Sequence, residues 1–320
     1  MKNKSLLSFV IPCYRSELTI ENVVNEIIDA VKNRTEYEII LVNDCSPDNV
    51  ENVIKRICGK NKKVKLISLA RNFGQHAALM AGYSAAKGDI IISLDDDGQT
   101  PADEVFKLID GINKGADVVY ARYQRQMQNV FRSFGTRVNQ IMMEVLTDKP
   151  KAVDVTSYFA MKRFVLLEIL KYRNPYPYIG GLICRVTRNI INVPVNHRSR
   201  QTGRSGYTIN KLLALWLNGF TAFSIKPLRI ASVMGGIVAA FGFIYGSFII
   251  LRKIFVPSNG LVGWSSTVAI ILFIGGMLML MLGLTGEYIG RIYISLNNSP
   301  QYVIKGGINY KNTGKKKTEE

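Results

Sequence analysis

The chain has 320 residues, in which 41 lysines and arginines stand against 24 acids, a formal net charge of +17. That length holds one globular domain of ordinary size plus a further element, and the basic excess implies a polyanionic partner: nucleic acid, a phosphorylated substrate or an anionic membrane face. Four cysteines (Cys13, Cys45, Cys58, Cys184) lack CxxC spacing and histidine neighbours, which fits a reduced cytosolic compartment and neither a zinc site nor a disulfide framework.

Strand and helix signals alternate through the first 121 residues. Residues 6–11 are apolar and end at Pro12, a first strand too short to be a signal segment. Residues 18–31 repeat Ile20, Val23, Val24, Ile27, Ile28 and Val31 at helical spacing, one buried face. Strands are predicted at 38–42, 64–69, 89–94 and 117–121, and helices at 50–57, 76–86 and 105–112. Thr100 and Pro101 read as the N-cap and first position of that last helix. Repeated βα units of this length imply a mostly parallel sheet covered on both faces.

The character then changes. Arg122, Arg125, Arg132 and Arg137 occur with no acid among them. Residues 129–146 read as an amphipathic helix, 154–161 as a strand and 163–170 as a short helix. Residues 197–206 form a basic, glycine-containing loop. Residues 207–223 combine leucine, phenylalanine and Trp216 with Lys211 as the one charge, a helix suited to the membrane interface.

Two long stretches, 230–251 and 256–286, contain no charged residue. At about 1.5 Å per residue each is long enough to cross a hydrocarbon core of roughly 30 Å, so two transmembrane helices are predicted. Lys226 and Arg229 precede the first, and Arg291, Lys305, Lys311 and Lys315–Lys317 follow the second; the connection carries Arg252 and Lys253. The positive-inside rule places both termini in the cytoplasm. The lysine tail lies near anionic headgroups or is simply solvated. Gly242 and Gly246 form a GxxxG step that hints at a homo-oligomer.

The most informative run is Ile90-Ile91-Ile92-Ser93-Leu94 followed by Asp95, Asp96 and Asp97. A buried strand ending in clustered acids at the carboxyl edge of an α/β sheet is where such folds bind ligands. Adjacent like charges repel unless a cation shares the site, and Asp95 and Asp97, at i and i+2, face the same way off an extended end. A hard divalent cation wants oxygen ligands so placed. A solvated acidic turn is the plainer alternative.

Several segments together resemble the family 2 glycosyltransferases of GT-A fold, in the branch that includes dolichyl-phosphate mannose synthases and bactoprenol glucosyltransferases. The carrying residues are Phe9 to Glu17, Leu41 to Asp48, Arg71-Asn72-Phe73-Gly74, Asp95 to Gln99, His197 to Arg200, Gly203, Ser205, Tyr207 and Phe223 to Arg229. The resemblance implies an α/β GT-A domain with a mostly parallel sheet at residues 1–206. An interfacial helix at 207–227, a transmembrane hairpin at 228–292 and a cytoplasmic basic tail at 293–320 complete the expected plan.

The same resemblance implies roles. Pro12, Tyr14 and Glu17 would hold the nucleotide and Asp44 its base, with Arg71, Asp95, Asp96 and Ser205 completing the donor site. Asp95, Asp97 and Gln99 would hold Mg2+ or Mn2+ against the donor diphosphate, offsetting charge on the departing nucleotide. Asp97 and Arg200 are the expected catalytic residues, the latter closing over the diphosphate from the basic loop. Arg122, Arg132 and the hydroxyl of Thr136 would bind the acceptor phosphate, a group that arginine forks suit. His197 is read as a structural hydrogen-bonder. Ser157 departs from the family, which commonly carries an acid there.

The function so implied is transfer of one sugar from a nucleotide donor, a UDP-sugar, to polyprenyl phosphate at the cytoplasmic face of the inner membrane, with inversion. A processive polysaccharide synthase is the first alternative, but neither Trp216 nor Trp264 lies in a QxxRW context. A membrane nucleotide-binding protein without catalysis is the second, kept open by Ser157. Nucleic acid is not an expected partner, because the arginines cluster beside membrane segments. No GxGxxG follows the first strand and no GxxxxGK[ST] occurs, which argues against a dinucleotide oxidoreductase.

Overall fold

The computed structural model describes residues 5–123, 153–196, 226–255, 263–297 and 299–310. The chain divides into two compact units, Met1–Gly206 with Asn298–Glu320, and Tyr207–Asn297.

Among the described residues the first unit is built on an eight-stranded sheet. In chain order its described elements are β1 (Leu7–Cys13), α1 (Ile20–Val31), β2 (Tyr37–Asn43), α2 (Val50–Lys60), β3 (Val64–Leu69), α3 (Gln75–Ala85), β4 (Ile90–Ser93), α4 (Val105–Asn113), β5 (Val118–Tyr123), β6 (Phe159–Lys162), α5 (Arg163–Ile169), α6 (Ile179–Val186), β7 (Ile190–Val195) and, after the second unit, β8 (Ile304–Ile308). The spatial order is β7-β5-β6-β4-β1-β2-β3-β8. β6 runs antiparallel to β4 and β5, and β8 antiparallel to β3; the other pairings are parallel.

The central strands are continuous apolar runs because helices cover both faces of the sheet. All seven residues of β1 and of β2 are buried. α1 buries Ile20, Val23, Val24, Ile27 and Val31, the face its spacing predicts. Each such side chain contributes about 1.5–3 kcal/mol of gross transfer free energy, most of it offset by ordering entropy. α3 is alanine-rich because it lies flat on β1 and β2: a Cβ at Gly82 would come within 2.3 Å of Val10 Cγ1 and 3.0 Å of Val42 Cγ2.

Pro12 sits inside a central strand, a position that usually demands an N–H. The carbonyl of Cys13 accepts the Asp44 N–H at 3.1 Å, on the β2 side. Polar groups of successive residues alternate sides, so Pro12 faces the β4 side. There the pairing has already stopped, at Val10 opposite Ser93.

Two expectations are corrected. The helix read as opening at Thr100 and Pro101 instead begins with a 3-10 turn at Ala102–Glu104, because Pro101 keeps an extended ψ of 107°. Residues 293–320, read as a tail, hold the end of the second long helix and β8, whose Asn309 side chain donates to the carbonyls of Cys58 (3.0 Å) and Val64 (2.8 Å). The helices expected at 129–146 and 207–223 lie outside the described residues.

The second unit contains α7 (Lys226–Phe255) and α8 (Trp264–Leu296). Within them Ala231–Phe248 and Phe273–Ile294 are long and apolar enough to cross a membrane, and neither is buried by protein. At Gly242 and Gly246, apart from the helix's own neighbouring backbone, no described atom lies within 4 Å of where a Cβ would stand.

Candidate active site

β1 is flanked by β2 on one side and β4 on the other, both parallel to it. The chain visits β2 and β3 first and crosses back to β4 later, so connections leave β1 in opposite directions. Such a switch point opens a crevice at the carboxyl ends of the strands. Asp95, Asp96 and Asp97 follow β4 after Leu94, at that carboxyl end, each half-buried.

The three acids have different surroundings. Asp96 Oδ2 accepts the backbone N–H of Tyr14 at 3.0 Å, and the Asp96 carbonyl accepts the Thr19 hydroxyl at 2.6 Å. The middle acid thus ties the β4 loop to the β1 loop. Burial, reinforced by the neighbouring Asp95 charge, pushes its pKa up to about 6. Asp97 Oδ1 accepts the Gln99 N–H at 3.0 Å across a turn made by Gly98, whose φ of 73° suits glycine. Asp95 is held at both oxygens: Gln75 Nε2 donates to Oδ1 at 2.9 Å, and the Ser157 hydroxyl donates to Oδ2.

Asp44 is buried at the end of β2, and its two oxygens accept the backbone N–H groups of Phe73 and Gly74, each at 2.8 Å. Burial raises its carboxyl pKa against the opposing pull of those bonds. The pair of bonds shapes the 71–74 loop, in which Gly74 adopts φ 88° and exposed Arg71 stacks on the Phe73 ring at 4.7 Å. Glu17 bridges two loops: its N–H donates to Asp48 at 2.9 Å while its Oε2 accepts the Asn49 N–H at 3.2 Å. Ser46 adds a bond from the Arg15 N–H at 2.7 Å. Arg15 and Cys45 hold left-handed φ values of 58° and 51° there. A cleft of about 470 Å³ lies along this seam, lined by Arg15, Glu17, Leu18, Thr19, Pro47 and Asp48.

Arg122, at the carboxyl end of β5, donates from Nε to Asp154 at 2.9 Å and from Nη2 to Asn192 at 3.3 Å. Asn192 also accepts the Asp154 N–H at 2.8 Å and donates to the Asp154 carbonyl, so it fixes residues 153–156 against β5 and β7. Of the residues expected in the site, Tyr14, Asp95, Asp96, Asp97 and Gln99 meet at the switch point. Pro12 is buried beneath it, Asp44 and Arg71 border it through the 71–74 loop, and Glu17 faces the β2 loop. Arg132, Thr136, Arg200 and Ser205 lie outside the described residues, as do Arg125, Arg137 and His197. Gln75 and Asn192 carried no expectation. Gln75 directly follows the 71–74 motif, a signal that could have found it.

The donor set fits a hard divalent cation. Asp95 and Asp97 offer carboxylate oxygens only, the chemistry Mg2+ and Mn2+ prefer. Among the described residues no group of three His, Cys, Asp or Glu side chains could hold an ion unaided. The set therefore suits a cation that completes its shell with ligand phosphates and water.

Comparison with known proteins places these features in context. The family model for glycosyl transferase family 2 matches residues 8–170, and the model described as the GtrB C-terminal hairpin matches residues 226–292. The chain is 32% identical to the uncharacterized glycosyltransferase YkcC of Bacillus subtilis (strain 168) over 93% of each chain. It is 32% identical to an undecaprenyl-phosphate 4-deoxy-4-formamido-L-arabinose transferase of Proteus mirabilis (strain HI4320), over 98% of this chain and 97% of that protein. Its fold is similar to that of glucosyl-3-phosphoglycerate synthase from Mycobacterium tuberculosis, solved in complex with Mn2+ and UDP-glucose. The TM-score is 0.51 at 20% identity, covering 68% of this chain and 77% of that one.

Proposed function

The chain belongs to glycosyl transferase family 2, and from that premise we propose that it transfers a single sugar from a UDP-sugar to the phosphate of a polyprenyl lipid, undecaprenyl phosphate, for envelope or glycan assembly. The observation that carries this reading is the placing of Asp95, Asp96 and Asp97 at the β1–β4 switch point, joined there to Tyr14. The acceptor is the one named for several relatives that match nearly the whole chain.

Asp95 and Asp97, with Gln99, would hold Mg2+ or Mn2+ at the donor diphosphate. A cation held there would neutralise charge on the departing nucleoside diphosphate. The 71–74 loop shaped by Asp44 borders the nucleotide, and Tyr14 caps it from the β1 side. The lipid phosphate has a second pKa of about 6 and is largely ionised at neutral pH. Its oxygen attacks the anomeric carbon as the bond from that carbon to the diphosphate oxygen breaks, which inverts the centre. An ionised nucleophile needs positioning more than deprotonation. The Ser157 hydroxyl is engaged as a donor to Asp95, consistent with a reaction that uses no protein base. Arg122 on β5, with Arg132 and Thr136, is the proposed phosphate anchor, and Arg200 and Ser205 close over the diphosphate.

α7 and α8 are read as a transmembrane hairpin that follows an interfacial segment ending before Lys226, where α7 begins, rather than at 227. The pairing of β8 with β3, in the same sheet as β1, supports reading the segments before and after the hairpin as lying on one side of the bilayer. The basic flanks support the cytoplasm as that side, at the inner membrane.

The test is transfer from a panel of radiolabelled nucleotide sugars to undecaprenyl phosphate by the purified full chain with Mn2+ or Mg2+, beside Asp97→Asn. The reading expects a cation-dependent labelled lipid that the variant does not make. A folded, nucleotide-binding protein that labels no lipid from any donor would sink it.

A further inference from the structure

We propose that Ser157 and Gln75 are positioning residues that fix the carboxylate of Asp95 for its ligand, and that Ser157 has this role in place of an acid. The inference rests on the reading of Asp95 as a cation ligand and goes beyond it by assigning the residues that orient that ligand.

The geometry begins in the sheet. β4 and β6 pair antiparallel with Ile92 opposite Ala160 and Ser93 opposite Phe159. Continued two residues past the strand ends, the same register sets Asp95 opposite Ser157. Backbone pairing thus brings this hydroxyl to Asp95 across 62 residues of sequence. Tyr158, between Ser157 and β6, is buried and bonds the Pro101 carbonyl at 3.3 Å, which pins the segment.

Gln75 arrives from the other side. It is the first residue of α3, immediately after Gly74. The backbone of Phe73 and Gly74 is held by the buried Asp44. The position of the Gln75 amide is therefore set by β2 through the 71–74 loop, and it reaches Asp95 Oδ1 at 2.9 Å.

Two donors on different oxygens define the plane of a carboxylate. The group has about four lone-pair sites, so two such bonds orient it and use only part of its capacity. Both donors are neutral and add no charge to a loop that already carries three acids. An acid directly opposite Asp95 would add like-charge repulsion, which cross-strand pairs do not tolerate well. Residues that orient a ligating carboxylate typically change metal affinity by about 10–100-fold when removed.

The test is Mn2+ binding to the purified full chain with UDP present, read from the EPR signal of free Mn2+, alongside steady-state kinetics as Mn2+ is varied. Ser157→Ala and Gln75→Leu are each expected to weaken Mn2+ binding about 10-fold. They should raise the Mn2+ concentration for half-maximal rate while leaving kcat near wild type at saturating Mn2+. Ser157→Thr, which keeps the hydroxyl, should restore binding. A fall in kcat with unchanged Mn2+ affinity would mean a merely structural role and overturn the proposal. If Asp97→Asn loses Mn2+ but Ser157→Ala and Gln75→Leu match wild type, the cation reading stands and the positioning role falls. If the wild-type chain binds no Mn2+, both fall together.

Discussion

The backbone N–H of Tyr14 donates to the carboxylate of Asp96 at 3.0 Å, joining the loops that leave two adjacent parallel strands. The bond spans the crevice where the donor is proposed to lie, so it sets the spacing between β1 and the acidic loop. Asp96→Ala should cost about 1–3 kcal/mol of stability, the usual range for a lost charge-assisted bond, and should raise the KM for donor. Asp96→Asn keeps an acceptor oxygen and should retain most of both. Thermal unfolding and donor kinetics on the two variants check this; equal losses in both would show that charge, and not the bond, is what matters.

His76 is partly buried on α3 with its Nδ1 shielded from solvent, edge-on to Tyr178 at 5.2 Å between ring centroids, and burial pushes its pKa down to about 4. Its folded-state pKa lies below the unfolded value of about 6.5. The unfolded chain therefore binds more protons between those values, and stability present above pH 6.5 is lost as pH falls toward 4. The loss should reach about 2 kcal/mol by pH 5. His76→Phe should flatten this dependence, measured as melting temperature of the full chain from pH 7 to 5. An unchanged slope in the variant would refute the assignment.

Glu38 lies at the opposite end of the sheet from the site, accepting Lys65 Nζ at 2.5 Å, the Ser8 hydroxyl at 2.5 Å and the Lys87 N–H at 2.6 Å. Burial works against its ionisation, yet these three bonds hold its carboxyl below the usual range. Removing one partner of such a pair strands the other, so Glu38→Ala should destabilise the chain by about 3–5 kcal/mol. Lys65→Met should cost less, since the remaining carboxylate keeps two donors. Denaturant unfolding of both variants gives the comparison, and a more damaging Lys65→Met would contradict it.

Cys45 is exposed and carries a left-handed φ of 51° in the loop after β2. That conformation costs a residue with a Cβ about 1–2 kcal/mol. Glycine gives back roughly 0.5–1 kcal/mol through greater freedom of the unfolded chain. Cys45→Gly should therefore stabilise the chain modestly, seen as a higher melting temperature. A lower one would show that the Cys45 side chain makes a contact worth more than the strain.

The first five strands and the helices between them were legible because each is a long apolar run or a strongly periodic helix. β7 was not: Pro194 interrupts it and its middle residues are partly exposed, both features of the sheet edge it occupies. β8 hides for a similar reason, since Ile304–Ile308 is two isoleucines around a lysine and two glycines. Gly180 and Gly181 mask α6, where Gly180 makes room for Val155 and Tyr178. In the site, Asp95 to Asp97 announced themselves as acids at the end of an apolar strand. Their contacts did not, because Gln75 and Ser157 come from 20 and 62 residues away in sequence and meet Asp95 only in the fold, Gln75 through the 71–74 loop and Ser157 through the β4–β6 register. The link from Arg122 to Asp154 was hidden in the same way, 32 residues apart.

β8 also fixes an order of events during synthesis. This edge strand is translated only after both long apolar helices, and Asn309 just beyond it closes onto Cys58 across 251 residues. Until then β3 has an open edge, the kind of surface on which unfinished chains pair with one another. A ribosome stalled within α8 would leave the sheet without its last strand, so the finished domain depends on the hairpin having already been made.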